Sequence, residues 1–308
     1  MASWHLDLDV SDKFPFTNAN LTNLWTDRSG WISVSTDPAK QNVFLLHFRE
    51  LASVWVEFAN RYIRVRPVVS DFPSETVQHL IADQIVPRII AHHGQLVLHA
   101  GAVRFDERAI TILGESGRGK STLVASLDAN DWPLLGDDAI IVAVKGNIWT
   151  GRAVYRGLRL FSDSVNSLFP VSPGLSAVAH YTEKQRVSIP LEADHGNRSA
   201  SLAAMFFLSP EPSDNRISLR QMTPAETCMG VIANSFSLDP TGRDRAGQKL
   251  AAASAFAATV PAFEIAYPRA YSILPDVHVV LRDQLTKLRN SGWDLARKDP
   301  PLPLAQPL

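Results

Sequence analysis

The chain has 308 residues, of which 45% are hydrophobic and 20% are charged, a composition that is typical of a folded protein and excludes a disordered one. Its formal net charge of −1 supplies no positive field to hold a polyanion, so we expect no nucleic-acid partner. The single cysteine, Cys228, excludes an intrachain disulfide and is typical of a reducing compartment.

The sequence carries no signal for export or membrane insertion. No segment approaches the ~18 consecutive apolar residues of a membrane span. The first ten residues, MASWHLDLDV, lack a basic region followed by an apolar one. We therefore expect a cytoplasmic protein that does not associate with membranes.

The first part of the chain alternates apolar and polar residues with the period of a β-strand. Trp4, Leu6 and Leu8 would share one side of a strand, and WISVS, NVFLLHF, VWVEF and YIRVR have similar patterns. A turn at residues 59–61 would join the last two strands as a hairpin. We expect residues 1–72 to form an antiparallel β-rich region with no cluster of reactive side chains.

A helical period replaces the strand period in DFPSETVQHLIADQIVPRII. Apolar residues recur at helical spacing between positions 77 and 89, Ser74 is a candidate N-cap, and Pro87 predicts a bend or break. This helix opens the predicted catalytic domain, residues 73–299, and a flexible Pro-rich tail is predicted at residues 300–308.

Two apolar runs follow the helix, QLVLHAGAVRF and AITILG, and we expect them to form a hairpin across Asp106 and Glu107. The second run leads directly into GESGRGKST, which contains G-x-x-x-x-G-K-S from Gly114 to Ser121. The segment KSTLVASLD is predicted to be a helix. A strand before the loop and a helix after it form the context in which this spacing binds a nucleoside triphosphate.

Each part of such a loop has a separate function. The glycines let backbone N–H groups turn toward one anion, Lys120 reaches the β- and γ-phosphates, and the Ser121 hydroxyl is a ligand of Mg²⁺. The expected cofactors are therefore ATP and Mg²⁺. The candidate cofactor-binding residues are Gly114, Glu115, Ser116, Gly117, Arg118, Gly119, Lys120, Ser121 and Thr122.

Two adjacent carboxylates, Asp137 and Asp138, lie 17 and 18 positions after Lys120, between the apolar runs of LLGDDAIIVAV. A carboxylate at the end of a strand that faces the nucleotide can hold Mg²⁺, and a second one can accept a proton from an attacking hydroxyl. Both residues and Lys120 are candidate catalytic groups, and Asp137 with Ser121 is the candidate metal pair. Which aspartate is the base stays open at this point.

The rest of the chain predicts a mixed sheet. IWTGRAV would pair with IIVAV across a tight turn, and beyond residue 160 short helices alternate with strands such as SLAAMFFLS and ISLRQ. Hairpins interrupt the crossover connections, so we predict an α/β or α+β fold with a mixed sheet. His99, 15 residues before Gly114, would lie on a strand beside the loop. Alone, a histidine between apolar residues is more often structural than catalytic.

The combination of LHAGAV, GESGRGKST and LLGDD resembles the C-terminal catalytic domain of HPr kinase/phosphorylase, a group related in fold to phosphoenolpyruvate carboxykinase. The resemblance covers about residues 75 to 190. It implies a P-loop kinase core, ATP and Mg²⁺, and one aspartate of the Asp137–Asp138 pair as base toward a serine hydroxyl. It also implies His99 as a catalytic-site residue and an assembly of identical chains.

The sequence also departs from that family. The glycine-rich signature that ends in Asn-Val-Arg is replaced by YRGLRLFSDSVNSLF, and the N-terminal region differs, so HPr is not the expected substrate. Overall size, RGLRLF and EKQRVSIPL are similar to kinases that phosphorylate a serine of lasso-peptide precursors. The candidate substrate-binding residues are the cations that follow the nucleotide strands, Arg156, Arg159, Lys184 and Arg186.

Three functions are compatible with the sequence. The favoured one is an ATP-dependent kinase acting on a serine of a peptide or small protein. A kinase acting on a hydroxyl of a small molecule would need the same loop and carboxylates. A nucleotide-binding switch without transfer activity would need the loop alone.

Overall fold

The computed structural model describes residues 3–8, 21–69, 71–155, 157–169, 171, 173–188 and 199–291. It has a mixed α+β fold with several sheets and helices. The chain divides into two compact units. The first consists of Met1–Gln78 and Ser237–Ala246, and the second consists of His79–Phe236 and Gly247–Leu308. The tail predicted at residues 300–308 lies outside the described residues.

In the part of the first unit that the structure describes, six strands form one sheet in the order β1-β6-β5-β4-β3-β2. Its strands are β1 (His5–Leu8), β2 (Thr22–Thr26), β3 (Ile32–Thr36), β4 (Val43–Phe48), β5 (Ala52–Glu57) and β6 (Tyr62–Pro67). The strands β2 to β6 pair antiparallel as predicted, but β1 is parallel to β6, with His5 opposite Tyr62. The prediction of a wholly antiparallel region was therefore wrong, because alternation fixes which side chains share a face and not the direction of the neighbouring strand.

The predicted helix is three consecutive segments: α1 (Ser74–His79), a π-helical turn (Leu80–Ile85) and α2 (Val86–His92). Pro87 is the second residue of α2, which continues directly from the π-helical turn, so the helix runs through the proline although the proline has no N–H to donate. The irregularity is thus a π-helical turn before the proline and not a break at it. Ser74 is the first residue of α1 instead of the residue that caps it.

Within the described residues of the second unit, the main sheet has nine strands and a separate sheet has three. Its strands, with those of the small sheet β13–β15, are β7 (Leu96–Leu98), β8 (Gly101–Phe105), β9 (Arg108–Leu113), β10 (Leu134–Gly136), β11 (Ile140–Lys145), β12 (Ile148–Ala153), β13 (Leu158–Leu160), β14 (Leu175–Ala177), β15 (Gln185–Val187), β16 (Ser199–Leu208), β17 (Ser218–Gln221) and β18 (Ala262–Ala266). The remaining helices are α3 (Lys120–Asp128), α4 (Ser162–Leu168), α5 (Pro224–Ala233), α6 (Arg243–Thr259) and α7 (Leu274–Asn290), with a 3₁₀ turn at Tyr271–Ile273.

The main sheet is mixed, as predicted. Its order is β10-β8-β9-β16-β12-β11-β7, and β18 pairs with β16 and β17. The hairpins β8–β9, across Asp106 and Glu107, and β11–β12 are both confirmed. The strands β9, β16 and β18 run parallel, so their carboxyl ends lie at one edge of the sheet. Ligands of α/β proteins bind outside such an edge.

Helices cover both faces of this sheet. On one face, Ile110 and Ile112 of β9 lie in a core with Leu123 of α3 and side chains of α7. On the other face, Leu113 lies in a core with Phe256 of α6 and side chains of α5. The strand β9, which carries the phosphate loop, is thereby fixed between two hydrophobic layers. None of the helices in the described part of the chain combines the length and the apolar character of a membrane span.

Candidate active site

The predicted phosphate loop connects β9 to α3, and its glycines occupy the positions that only glycine adopts without strain. The φ angles of Gly114, Gly117 and Gly119 are 143°, 76° and 91°. An added Cβ at Gly117 or Gly119 would meet no atom within 4 Å, so the requirement there is conformational and not steric. Glu115 and Arg118 form an ion pair across the loop, with Nη2 2.7 Å from Oε2.

Lys120 is the first residue of α3 and is nearly buried. Its Nζ donates hydrogen bonds to the carbonyl oxygens of Gly114 at 2.7 Å and Glu115 at 3.1 Å. Burial lowers the pKa of Lys120, while the negative charges of Asp138 and Asp137 oppose that change. The loop therefore holds its own cation at the N-terminus of α3, where an anion would also meet free N–H groups and the helix dipole.

Asp137 lies between β10 and β11 and is only 1% exposed. Within the described part of the chain, neither carboxylate oxygen has a hydrogen-bond partner. Burial raises the pKa of Asp137 to about 7, the charge of Asp138 acts in the same direction, and the nearby Ser121 hydroxyl opposes both. A Cβ on Gly101 would lie 2.5 Å from Cγ2 of Val124 and 3.1 Å from Oδ1 of Asp137, so glycine at position 101 leaves room for both side chains.

Asp138, in contrast, has partners on both oxygens. Its Oδ2 accepts a hydrogen bond from Nη1 of Arg159 at 2.9 Å, and its Oδ1 lies 3.6 Å from Nε2 of His99. Burial alone would raise the pKa of Asp138, but its contact with His99 and the positive charge of Arg159 hold it well below its usual range. The backbone φ of Asp138 is 66°, in the left-handed region that aspartate tolerates better than most residues. Asp138 thus lines the cleft as a carboxylate of fixed orientation.

His99 does not lie on a strand as predicted. It lies in the break between β7 and β8, because β7 pairs with β11 while β8 pairs with β9 and β10. Its backbone N–H donates to the carbonyl oxygen of Asn234 at 2.7 Å, and its ring centroid lies 5.8 Å from that of Phe236. The side-chain oxygen of Asn234 accepts from the N–H of Gly114 at 3.2 Å. Asn234, which sequence reasoning missed, thereby links His99 to the start of the phosphate loop.

These residues surround a cleft of about 330 Å³ at the carboxyl edge of the parallel strands. Of the sequence-predicted residues, it is lined by His99, Ser116, Gly117, Arg118, Gly119, Lys120, Ser121, Thr122, Asp138, Arg159 and Lys184. Gly114, Glu115, Asp137 and Arg186 are not part of the lining, and Arg186 lies in β15 opposite Arg159 of β13. Arg156 lies outside the described residues.

The two predicted substrate cations in the cleft differ in how they are held. Arg159 is buried, and its guanidinium contacts Asp138, Asp83 at 2.7 Å and the Tyr155 hydroxyl at 2.8 Å. Lys184 lines the cleft, and its ammonium lies 5.5 Å from the centre of the Phe161 ring. Lys184 is thus held by a ring contact, whereas Arg159 is bound to two carboxylates and a hydroxyl.

Sequence reasoning missed a second wall of the cleft. It consists of the segment that follows β18 and residues of α4: Asp163, Ser164, Tyr267, Arg269, Ala270, Tyr271 and Leu274. The Tyr271 hydroxyl donates to Oδ2 of Asp163 at 2.9 Å and lies 3.1 Å from Oγ of Ser164. Oγ of Ser164 in turn lies 3.1 Å from Oγ1 of Thr122. This chain of hydroxyls joins the second wall to the phosphate loop.

The site suits a divalent cation that takes most of its ligands from outside the protein. The described residues contain no group of three or more His, Cys, Asp or Glu side chains that could hold a metal ion. The two partnerless buried oxygens of Asp137 and the adjacent Ser121 hydroxyl are nevertheless oxygen ligands of the kind Mg²⁺ uses. These residues fit Mg²⁺ that arrives with a triphosphate.

Comparisons with known proteins leave the family of this chain undetermined. No family model matches the sequence, and no curated protein matches it. Among solved structures, the HPr(Ser) kinase/phosphatase from Coxiella burnetii is similar over 63% of this chain and 98% of that chain, with 14% sequence identity and a TM-score of 0.35. A likeness at that score carries no weight for the chemistry, which therefore rests on the site itself.

Proposed function

We propose that this protein is an ATP- and Mg²⁺-dependent phosphotransferase that moves the γ-phosphoryl group of ATP to a hydroxyl, namely a serine of a peptide or small protein. The observation that carries the proposal is the position of Asp138. This carboxylate is held by Arg159 and His99 in the same cleft that the phosphate loop lines. A switch that only binds nucleotide has less need of a second carboxylate beside the one that would hold Mg²⁺.

The phosphate loop supports binding of the triphosphate. The left-handed glycines direct backbone N–H groups toward an anion, and the N-terminus of α3 adds its dipole. When ATP enters, Lys120 exchanges the carbonyl oxygens of Gly114 and Glu115 for phosphate oxygens. This exchange is favourable because a charge-assisted hydrogen bond is stronger than one to a neutral carbonyl.

Ser121 and Asp137 are the residues that would hold Mg²⁺. The metal supplies neutralisation of the charge that develops on the phosphate oxygens. Asp137 must be ionised for this role, and a bound cation would favour the ionised form, which burial disfavours. A buried carboxylate without partners is costly in the free protein and is stabilised by a bound cation.

Exposure separates the roles of the two aspartates. Asp137 is nearly buried and is not part of the cleft lining, so of the two aspartates it is Asp138 that faces an acceptor hydroxyl. Asp138 lines the cleft and is ionised over the neutral range, so it can orient that hydroxyl and accept its proton as the new P–O bond forms and the bond from the γ-phosphorus to the β–γ bridging oxygen breaks, releasing ADP. His99, near Oδ1 of Asp138, fixes the direction of the carboxylate.

The mouth of the cleft supports an acceptor that extends over the surface. Phe161 and Tyr271 line it and are 46% and 36% exposed. Exposed aromatic rings are common in surfaces that bind polypeptide. Lys184 and the exposed Arg269 add positive charge for an acidic group of the acceptor. A peptide or small protein fits these features better than a small metabolite does.

The proposal is tested by incubating the protein with γ-labelled ATP, Mg²⁺ and a library of serine-containing peptides. We expect label on serine with the wild type and the control Asp106→Asn, and none with Lys120→Ala or Asp138→Asn. Asp106 is a suitable control because it lies in the β8–β9 turn with a φ of 52°, which asparagine also adopts. Label on a small metabolite instead would indicate a small-molecule kinase, and tight ATP binding without any transfer would indicate a switch.

A further inference from the structure

A line of ion pairs leads from the cleft into the interior of the second unit. Nη1 of Arg159 lies 2.9 Å from Oδ2 of Asp138, and Nη2 lies 2.7 Å from Oδ1 of Asp83. Oδ2 of Asp83 contacts Nδ1 of His79. One guanidinium is therefore shared by two carboxylates, of which Asp138 lines the cleft and Asp83 does not.

Both ends of the Asp83–Arg159 pair are almost completely removed from solvent. The side chains of Arg159 and Asp83 are 5% and 4% exposed. The guanidinium also donates to the Tyr155 hydroxyl at 2.8 Å and lies 4.6 Å from the centre of the Tyr155 ring. Arginine held on several sides in this way has one orientation, because its planar donors must match fixed acceptors.

Asp83 owes its position to the π-helical turn. That turn, Leu80–Ile85, joins α1 to α2 and has Leu80 and Ile85 fully buried on either side of Asp83. A π-helical turn has one more residue than an α-helical turn, so it changes which side chains of the following helix face inward. A buried charge is costly to keep without a partner, and Asp83 finds one in Arg159.

We propose that Asp83 is a positioning residue for phosphoryl transfer: by holding Nη2 of Arg159 it directs Nη1 to Asp138 and fixes that carboxylate toward the acceptor hydroxyl. This inference rests on the proposed function. Asp83 does not itself line the cleft, and it reaches the site through Arg159, which does.

Loss of the Asp83 charge has a definite consequence for Asp138. Arg159 would keep a single carboxylate partner, Asp138, and would draw it toward β13. A shift of about 1 Å in a reacting group can lower a rate on the order of 100-fold. Nucleotide affinity is expected to stay unchanged, because the loop and α3 make their own contacts to the phosphates. A role confined to folding would not separate transfer from nucleotide binding in this way.

The test compares Asp83→Asn and Asp83→Glu with the wild type in two measurements. The first is the transfer of labelled phosphate to a serine peptide that the wild type modifies, and the second is the affinity for Mg²⁺-ATP. Glu264→Gln is the matched control, since Glu264 is also one of two carboxylates that share an arginine, Arg220, and it lies outside the cleft. We expect kcat to fall by about 10- to 100-fold in Asp83→Asn with unchanged ATP affinity. Asp83→Glu should recover part of the rate, and Glu264→Gln should transfer at the wild-type rate.

A folded Asp83→Asn variant with wild-type kcat would overturn the inference and leave the proposed function intact. Parallel loss of kcat and ATP affinity, without recovery in Asp83→Glu, would also overturn it. If the wild type binds ATP but transfers no phosphate, the proposed function fails. The coupling of Asp83 to Asp138 is then tested by urea unfolding of Asp83→Asn, Asp138→Asn and the double variant. Non-additive changes in midpoint support coupling through Arg159, and additive changes overturn it.

Discussion

The Oδ2 atom of Asp138 lies 2.9 Å from Nη1 of Arg159, whereas the neighbouring residue Asp137 has no hydrogen-bond partner on either oxygen in the described part of the chain. Two consecutive carboxylates thus have pKa values displaced in opposite directions, that of Asp137 to about 7 and that of Asp138 below its usual range. Pairs of titratable groups whose pKa values are pushed apart mark sites where two carboxylates have different roles.

The first prediction concerns the stability of the free protein. Asp137 has a folded-state pKa of about 7 against an ordinary value of 3.8, so the folded chain binds its proton more tightly than the unfolded chain does. Asp137 therefore lowers the free energy of unfolding progressively as the pH rises from about 4 to about 7, and the full cost is present above that range. We expect the free energy of unfolding of Asp137→Asn, relative to that of the wild type, to be higher at pH 8 than at pH 5 by an amount on the order of a few kcal/mol.

This gain is measured by urea unfolding at both pH values without Mg²⁺ or nucleotide. Asp106→Asn, which alters a carboxylate in the exposed β8–β9 turn, should show no such dependence on pH. An Asp137→Asn difference that is the same at pH 5 and pH 8 would contradict the assigned pKa.

The second prediction concerns Lys120. Removal of its ammonium in Lys120→Ala should weaken ATP binding by about 10- to 100-fold, the range expected for loss of a charge-assisted hydrogen bond. Titration calorimetry with Mg²⁺-ATP measures the effect. Lys287→Ala is the control, because Lys287 lies in the last turn of α7 and not in the cleft. Equal affinities for wild type and Lys120→Ala would show that the loop does not hold the phosphates.

The third prediction separates backbone conformation from side-chain volume. Gly119→Ala should lower the free energy of unfolding by about 1–2 kcal/mol, because alanine is strained at a φ of 91° although its Cβ meets no atom within 4 Å. Gly247→Ala also adds a Cβ in open space, but Gly247 lies within the helix α6. Because alanine favours a helix more than glycine does, this substitution should raise the free energy of unfolding by up to about 1 kcal/mol. Thermal or urea unfolding compares the two. Similar effects of both substitutions would contradict the left-handed conformation of the loop.

Features with a local signal could be predicted from the sequence. The phosphate loop, the helix α3 and the hairpins β8–β9 and β11–β12 follow from glycine spacing, apolar periods and turn residues within about twenty positions. The closeness of Asp137 and Asp138 to the loop followed from the same strands. These signals suffice because each element is specified by its own residues.

Features that depend on distant parts of the chain could not be predicted. The wall that contains Tyr271 exists because β18 pairs parallel with β16, and its short run AFEIA does not indicate a partner. Arg159 was predicted to bind the acceptor, since a cation in a sequence shows its charge but not the carboxylates it meets. Asp83 had the pattern of a surface residue on a helix, and only the fold brings it to Arg159.

The most direct test of phosphoryl transfer at this site is the rate at which γ-labelled ATP labels serine in a peptide library, with wild type and Asp138→Asn compared at equal occupancy by Mg²⁺-ATP. We predict that both proteins bind ATP and that only the wild type labels serine. Labelling by Asp138→Asn at the wild-type rate, or a wild type saturated with Mg²⁺-ATP that labels no hydroxyl, would contradict it.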